Sequence, residues 1–216
     1  DDRVPQLKPE SGGRRRIEAS QYGRISPQSG GIRARSRIVV IYAVGVITGG
    51  ESGFDPVNGS VAGSETLVDQ IRRARDDEGV KAIVLRVDSP GGSSTASDVI
   101  WRELMITRDQ KRARPLVTSM SDRGASIGYY IGMPGQMIVA QPATLTGSSG
   151  IYTGKMVTVG TLEKLGITTE TVTSGANADI YSPFSRFDPP QRERLQHYMD
   201  TFYRTFVQRV ADARKK

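Results

Sequence analysis

The 216-residue chain contains no cysteine and a single histidine. Without thiols it forms neither a disulfide framework nor a thiolate zinc site, and the absence is compatible with reducing and oxidising compartments alike. Long apolar runs are missing too. The longest, "RIVVIYAVGVI" and "KAIVLRV", fall far short of the roughly 20 residues needed to cross a bilayer, and no signal-peptide pattern opens the sequence. No stretch of it is expected to span a membrane by itself. Nucleotide signatures are absent as well: there is neither the Gly-Lys-Ser/Thr of a phosphate loop nor a G-x-G-x-x-G fingerprint.

The charge that is present is unevenly placed. The formal net charge is +7, but nine of the 30 basic and four of the 23 acidic residues lie in 1–37, leaving 21 against 19 for the rest. Nucleic-acid binding driven by phosphate neutralisation wants a basic face on the folded part, so that class is set aside. Residues 1–37 are rich in Gly, Ser, Pro and Arg and read as a linker, or as an arm lying on a neighbour.

From residue 38 onward the sequence alternates two periodicities. Strands are expected near 38–47, 81–87, 116–120, 137–140 and 168–173, and helices near 64–76, 94–108, 125–133 and 157–165. That alternation predicts an α/β fold. Pro189 and Pro190 then open a long amphipathic helix in which Leu195, Tyr198, Met199, Phe202, Phe206 and Val210 recur at helical spacing.

Within "DRGASIGYYIGM", residues 122–133, "GASIG" satisfies G-x-S-x-G around Ser126. A strand before it and a helix after it suit a nucleophile elbow; a small-residue turn between packed elements is the alternative. The elbow mechanism needs a base, and His197, with Asp179 or Asp188 as its acid, would fit in chain order. However, His197 falls opposite the apolar stripe of the last helix, among Arg194, Asp200 and Thr201, and should face solvent. The usual substitute is a buried lysine. A second element, "DSPGGSS" after the apolar strand, places Gly91 and Gly92 where bare backbone N–H groups can face a cleft, as an oxyanion hole requires.

Together, "LRVDSPGGSSTASDVI", "SMSDRGASIGYYIGM", "IVAQPATLTGSSGIYTGK", "LEKLGITTETVTSGANADIYSPF" and "FVQRVADAR" resemble the signal peptide peptidase A (protease IV) family of serine-lysine peptidases over 38–216. The resemblance implies a Clp protease/crotonase-like fold of repeated ββα units. It also implies hydrolysis of signal-peptide remnants and membrane-proximal polypeptides, with no cofactor and no metal. Ser126 matches the family nucleophile, Gly91 and the backbone N–H of Ile127 match the oxyanion donors, and Ser148 matches the hydroxyl that orients the lysine amine.

The lysine itself is missing. Single-length members of the family carry it in a segment like "SGxxKD", and here "SGANAD" puts Ala178 in its place. In double-length members the lysine lies in the first half and the serine in the second. The resemblance therefore reads 38–216 as the C-terminal half of such an enzyme, lacking its last segment, with the base supplied by an N-terminal half. Of the seven lysines, Lys155 and Lys164 are expected to be solvated or snorkelling, Lys8, Lys111, Lys215 and Lys216 exposed, and Lys81 at the start of a strand.

Ile127, Arg123 and Ser149 depart from the family pattern and bear on substrate choice or on whether activity is kept. The resemblance further implies a peptide substrate, a ring-like homo-oligomer, and a location at the bacterial inner membrane facing the periplasm or cell exterior, with membrane contact through segments other than this one. Two rivals remain: a non-catalytic scaffold or polypeptide-binding subunit of an oligomeric chamber, and a crotonase-like acyl-thioester binder that needs no nucleophile.

Overall fold

The computed structural model describes residues 36–110 and 113–214. The leader read over 1–37 thus lies, as far as residue 35, outside the described residues, as do Lys8, Lys111, Lys215 and Lys216.

The first apolar run is not one strand. It divides into β1 (Arg37–Val44) and β2 (Val46–Thr48), because Gly45 adopts φ +95° and a Cβ there would overlap the Ser60 carbonyl, a geometry reserved for glycine. β2 belongs to a small sheet with β3 (Gly53–Asp55) and β4 (Gly59–Gly63), ordered β2-β4-β3. The β3–β4 turn is built by Asp55, whose Oδ1 accepts from the N–H groups of Val57 and Asn58 at 2.9 and 2.7 Å. Those backbone bonds, Asn58 first, hold its carboxyl below the usual range.

The main sheet comprises β1, β5 (Val80–Ser89), β6 (Leu116–Ala125) and β7 (Met137–Val139) in the order β1-β5-β6-β7, with β8 (Leu145–Gly147) also pairing with β6. β6 runs parallel to β5, β7 and β8, so its connections need crossovers, and helices supply them. α1 (Ser64–Asp76) precedes β5, α2 (Ser94–Asp109) links β5 to β6, and α3 (Ile127–Gly132) links β6 to β7. This is a mixed α/β architecture with a parallel sheet.

The apolar faces of α1, α2 and α3 meet the sheet in one core. Leu67 and Ile71 of α1, Ile100 and Leu104 of α2 and Ile131 of α3 pack with Ile41, Ile83, Leu85, Val87 and Leu116 of the sheet. Each such side chain stabilises by about 1.5–3 kcal/mol through burial. Arg114 closes the end of α1 by donating to the carbonyls of Ala74, Arg75 and Asp77, which satisfies acceptors that a helix C-terminus leaves open.

Beyond β8 regular structure thins to α4 (Val159–Lys164) and α5 (Pro189–Arg214). The strand expected at 168–173 does not form: these residues are exposed, and among the described residues no strand runs beside them. Strand propensity in "TTETVT" is a packing preference and has no effect without a neighbour to pack on. α5 docks through Phe206, which meets Tyr130 edge-on at 5.0 Å and lies 6.2 Å from Phe202. Among the described residues no helix is long and apolar enough to cross a membrane.

Candidate active site

Ser126 stands between the end of β6 and the start of α3, with φ +50° and ψ −116°. An L-residue seldom adopts such a backbone, and where one does the surrounding structure must enforce it. Here Ser126 N–H donates to the Gly147 carbonyl at 2.7 Å, and the β6–β8 register sets Ala125 opposite Gly147. The glycines of G-x-S-x-G have separate packing reasons. A Cβ on Gly124 would meet the Met120 side chain, and one on Gly128 would meet the Ser89 carbonyl. The result is the sharp strand-turn-helix that the motif predicts.

The glycine loop after β5 lies against this turn. The position a Gly91 Cβ would occupy is 3.6 Å from both Ser126 Oγ and the Ile127 nitrogen. Gly92 is pressed on Ile47, whose carbonyl accepts from Ser93 N–H at 2.8 Å. Gly91, Ser126 and Ile127, singled out from sequence, are thus brought together. Ile127 opens α3, and its N–H has no partner among the described residues, as is normal in a first helical turn. The Gly91 N–H is engaged: it donates to Oγ of the fully buried Ser89 at 3.2 Å, while that hydroxyl donates back to the Gly91 carbonyl at 3.3 Å. Sequence reasoning missed Ser89. Its placement follows from the register shift between Val87 and Ser89, where β5 changes its alignment on β6, and no local motif marks such a shift.

Ser148 directly follows the residue that accepts from Ser126 N–H, and it is exposed with φ +52°. Among the described residues Ser126 and Ser148 are the non-glycine residues with positive φ. Ser126 Oγ donates to the Gly150 carbonyl at 3.4 Å, and its hydrogen bonds among the described residues include no amine. His197 is exposed on α5, as its position in the helical pattern requires. Asp188 and Gln191 cap α5 reciprocally, and Gln191 also donates to Asp179 at 3.0 Å, so both candidate acids have structural duties. Arg123 is exposed beside Asp88, with Nε 3.9 Å from its carboxylate.

The lysines answer differently from expectation in one case. Lys81 donates to the Glu78 carbonyl, and Lys164 is exposed. Lys155, expected to be solvated or snorkelling, has a buried Nζ without a hydrogen-bond partner among the described residues, 4.5 Å from the centre of the Phe187 ring. Phe187 folds back from the start of α5, a contact with no local signature in "YTGK". Ala178 lines a cavity of about 290 Å³ with Thr171, Ser174 and Tyr181.

Comparison with known proteins places these features in context. The model of a family described as peptidase family S49 matches residues 108–216. Protease 4 of Salmonella typhi is 44% identical over 180 residues, covering 83% of this chain and 28% of its own length. The chloroplastic serine protease SPPA of Arabidopsis thaliana is 35% identical over 181 residues, 83% of this chain and 26% of that protein. Protease 4 of Haemophilus influenzae is 35% identical over 182 residues, 83% and 28% of the respective chains. The chain therefore matches little more than a quarter of the length of each of these relatives.

Proposed function

Because this chain belongs to peptidase family S49, we propose that it supplies the nucleophile and oxyanion hole of a serine peptidase whose proton acceptor is a lysine on an N-terminal half of the enzyme. One observation carries the reading: among the described residues, Ser126 sits on a strained elbow beside Gly91 and an Ile127 N–H without a partner, and its hydrogen bonds include no amine. Strained serines next to free backbone donors are suited to attack and oxyanion stabilisation.

In this mechanism Ser126 Oγ attacks a peptide carbonyl and its proton passes to the neutral lysine amine. The oxyanion accepts from Ile127 and Gly91, the latter after exchanging Ser89 for the substrate oxygen. The intermediate collapses to an acyl-enzyme as the lysine protonates the leaving amine. Water, deprotonated by the same lysine, then releases the acid and restores Ser126. No cofactor enters these steps. Ser148 is assigned to orienting the incoming amine, and Ala178 offers no proton acceptor of its own.

The names Protease 4 and serine protease SPPA, carried by the relatives, support proteolysis as the class. We assign the substrate as signal-peptide remnants and membrane-proximal polypeptides, the assembly as a ring-like homo-oligomer of Clp/crotonase-like subunits, and the location as the bacterial inner membrane surface on the periplasmic or outer side. A scaffold reading draws on the engaged Gly91 N–H and on Ala178. Mixing this chain with a lysine-bearing N-terminal half and an unstructured peptide separates the two. Cleavage that requires both components and disappears in Ser126→Ala supports the peptidase; equal cleavage by this chain alone contradicts the imported lysine, and an inert mixture favours the scaffold.

A further inference from the structure

Away from Ser126, α2 and α5 leave an open groove of about 590 Å³ between them. Its apolar side is made by Trp101, Met105 and Pro134, and its rim carries Arg108, Arg204 and Arg209 against a single acid, Asp212. The three arginines are not equivalent. Arg209 stacks on the Trp101 ring at 3.7 Å and pairs with Asp98, and Arg108 is held by the carboxylate of Asp109 at 2.7 Å. Arg204 is exposed and has no ion pair or hydrogen bond among the described residues, while Asp212 accepts from Gln208 at 2.8 Å. The groove thus combines an apolar floor with one uncommitted guanidinium.

We propose that this groove binds an amphiphilic carboxylate of the fatty-acid type, its acyl chain on Trp101, Met105 and Pro134 and its head group on Arg204. The volume lies within the range of small-molecule sites, and guanidinium is the side chain best matched to a carboxylate. A polypeptide is a poorer fit. The walls are helices whose backbone groups are spent on their own hydrogen bonds, and Pro134 has no N–H, so an extended main chain would find few partners. An acyl chain needs none.

The chain contains one tryptophan, so Trp101 emission reports on the groove directly. Titration of the full chain with octanoate below its micelle concentration is expected to give a saturable change in emission, whereas 1-octanol and octyltrimethylammonium give responses at least tenfold weaker. Arg204→Ala is expected to weaken octanoate binding about tenfold, the scale of one charge-assisted hydrogen bond, with Arg204→Lys recovering part of the loss. Met105→Glu is expected to abolish it.

Equal responses to the three head groups would overturn the carboxylate assignment. No saturable response to octanoate would overturn the site, and tighter competition by an acidic amphipathic peptide would assign the groove to a polypeptide instead. Sedimentation alongside the titration tests the remaining occupant: a dimer that shields Trp101 and is undone by Arg204→Glu would make the groove a self-interface and overturn the proposal. The wild-type comparison of head groups stands whether or not any variant folds.

Discussion

At Gly91 the backbone N–H has a choice of acceptors, and Ser89 Oγ holds it in the resting chain. A neutral hydrogen bond of this kind contributes a net of about 1 kcal/mol, which the substrate oxygen must displace. Ser89→Ala is therefore expected to speed acylation of Ser126 by a phosphonate roughly fivefold, measured with the lysine-bearing half present; a slower reaction would mean that the hydroxyl instead orients the loop. Lys155 raises a different question, because among the described residues its buried amine has an aromatic face but no hydrogen-bond acceptor. Lys155→Met keeps the stem and removes the orphaned donor. Its unfolding midpoint is expected to rise, on the scale of about 1 kcal/mol, and a clear fall would show that the Phe187 contact outweighs desolvation. Ser126 was legible in the sequence because G-x-S-x-G encodes a backbone shape. Ser89 and Lys155 were not, since one depends on a strand register and the other on a distant phenylalanine folding back.

At the scale of elements, α1 and α2 are joined through Glu103, which is buried and paired with Arg72 at 2.9 Å and with Arg75. Burial pushes its carboxyl up, but the hydrogen bonds and charges of Arg72 and Arg75 outweigh this and hold it below the ordinary value. A carboxyl depressed on folding adds stability above its unfolded pKa, about 4.3, and loses it as pH falls through the folded one. Wild type should thus lose stability relative to Glu103→Gln as pH drops below about 4; parallel acid-unfolding curves would contradict the linkage. α5 depends on Phe206, and Phe206→Ala should cost about 3–5 kcal/mol in a chemical-denaturation measurement. Helices with a strong stripe were readable almost to their ends, α1 over the same residues as expected. The β3–β4 hairpin was not anticipated, because "GFD" and "GSVAG" are short and weakly apolar. The segment 168–173 shows the converse error, as its strand-forming composition finds no neighbour among the described residues.

For the molecule as a whole, the central proposal is a divided catalytic centre: elbow, oxyanion loop and Ser148 on this chain, and the proton acceptor on an N-terminal half of the enzyme. The fold class followed from alternating periodicities, and the sheet then brought residues near positions 91, 126 and 148 together, which only β5, β6 and β8 lying side by side could achieve. The proposal that the base comes from elsewhere rests on Ala178, a sequence feature. The most direct test is intact-mass analysis after exposure to a serine-reactive fluorophosphonate, with and without the lysine-bearing half. The divided centre predicts one adduct, on Ser126, formed quickly in the mixture and at least a hundredfold more slowly by this chain alone. Equally fast labelling of the isolated chain, or no labelling of Ser126 in either case, would contradict it.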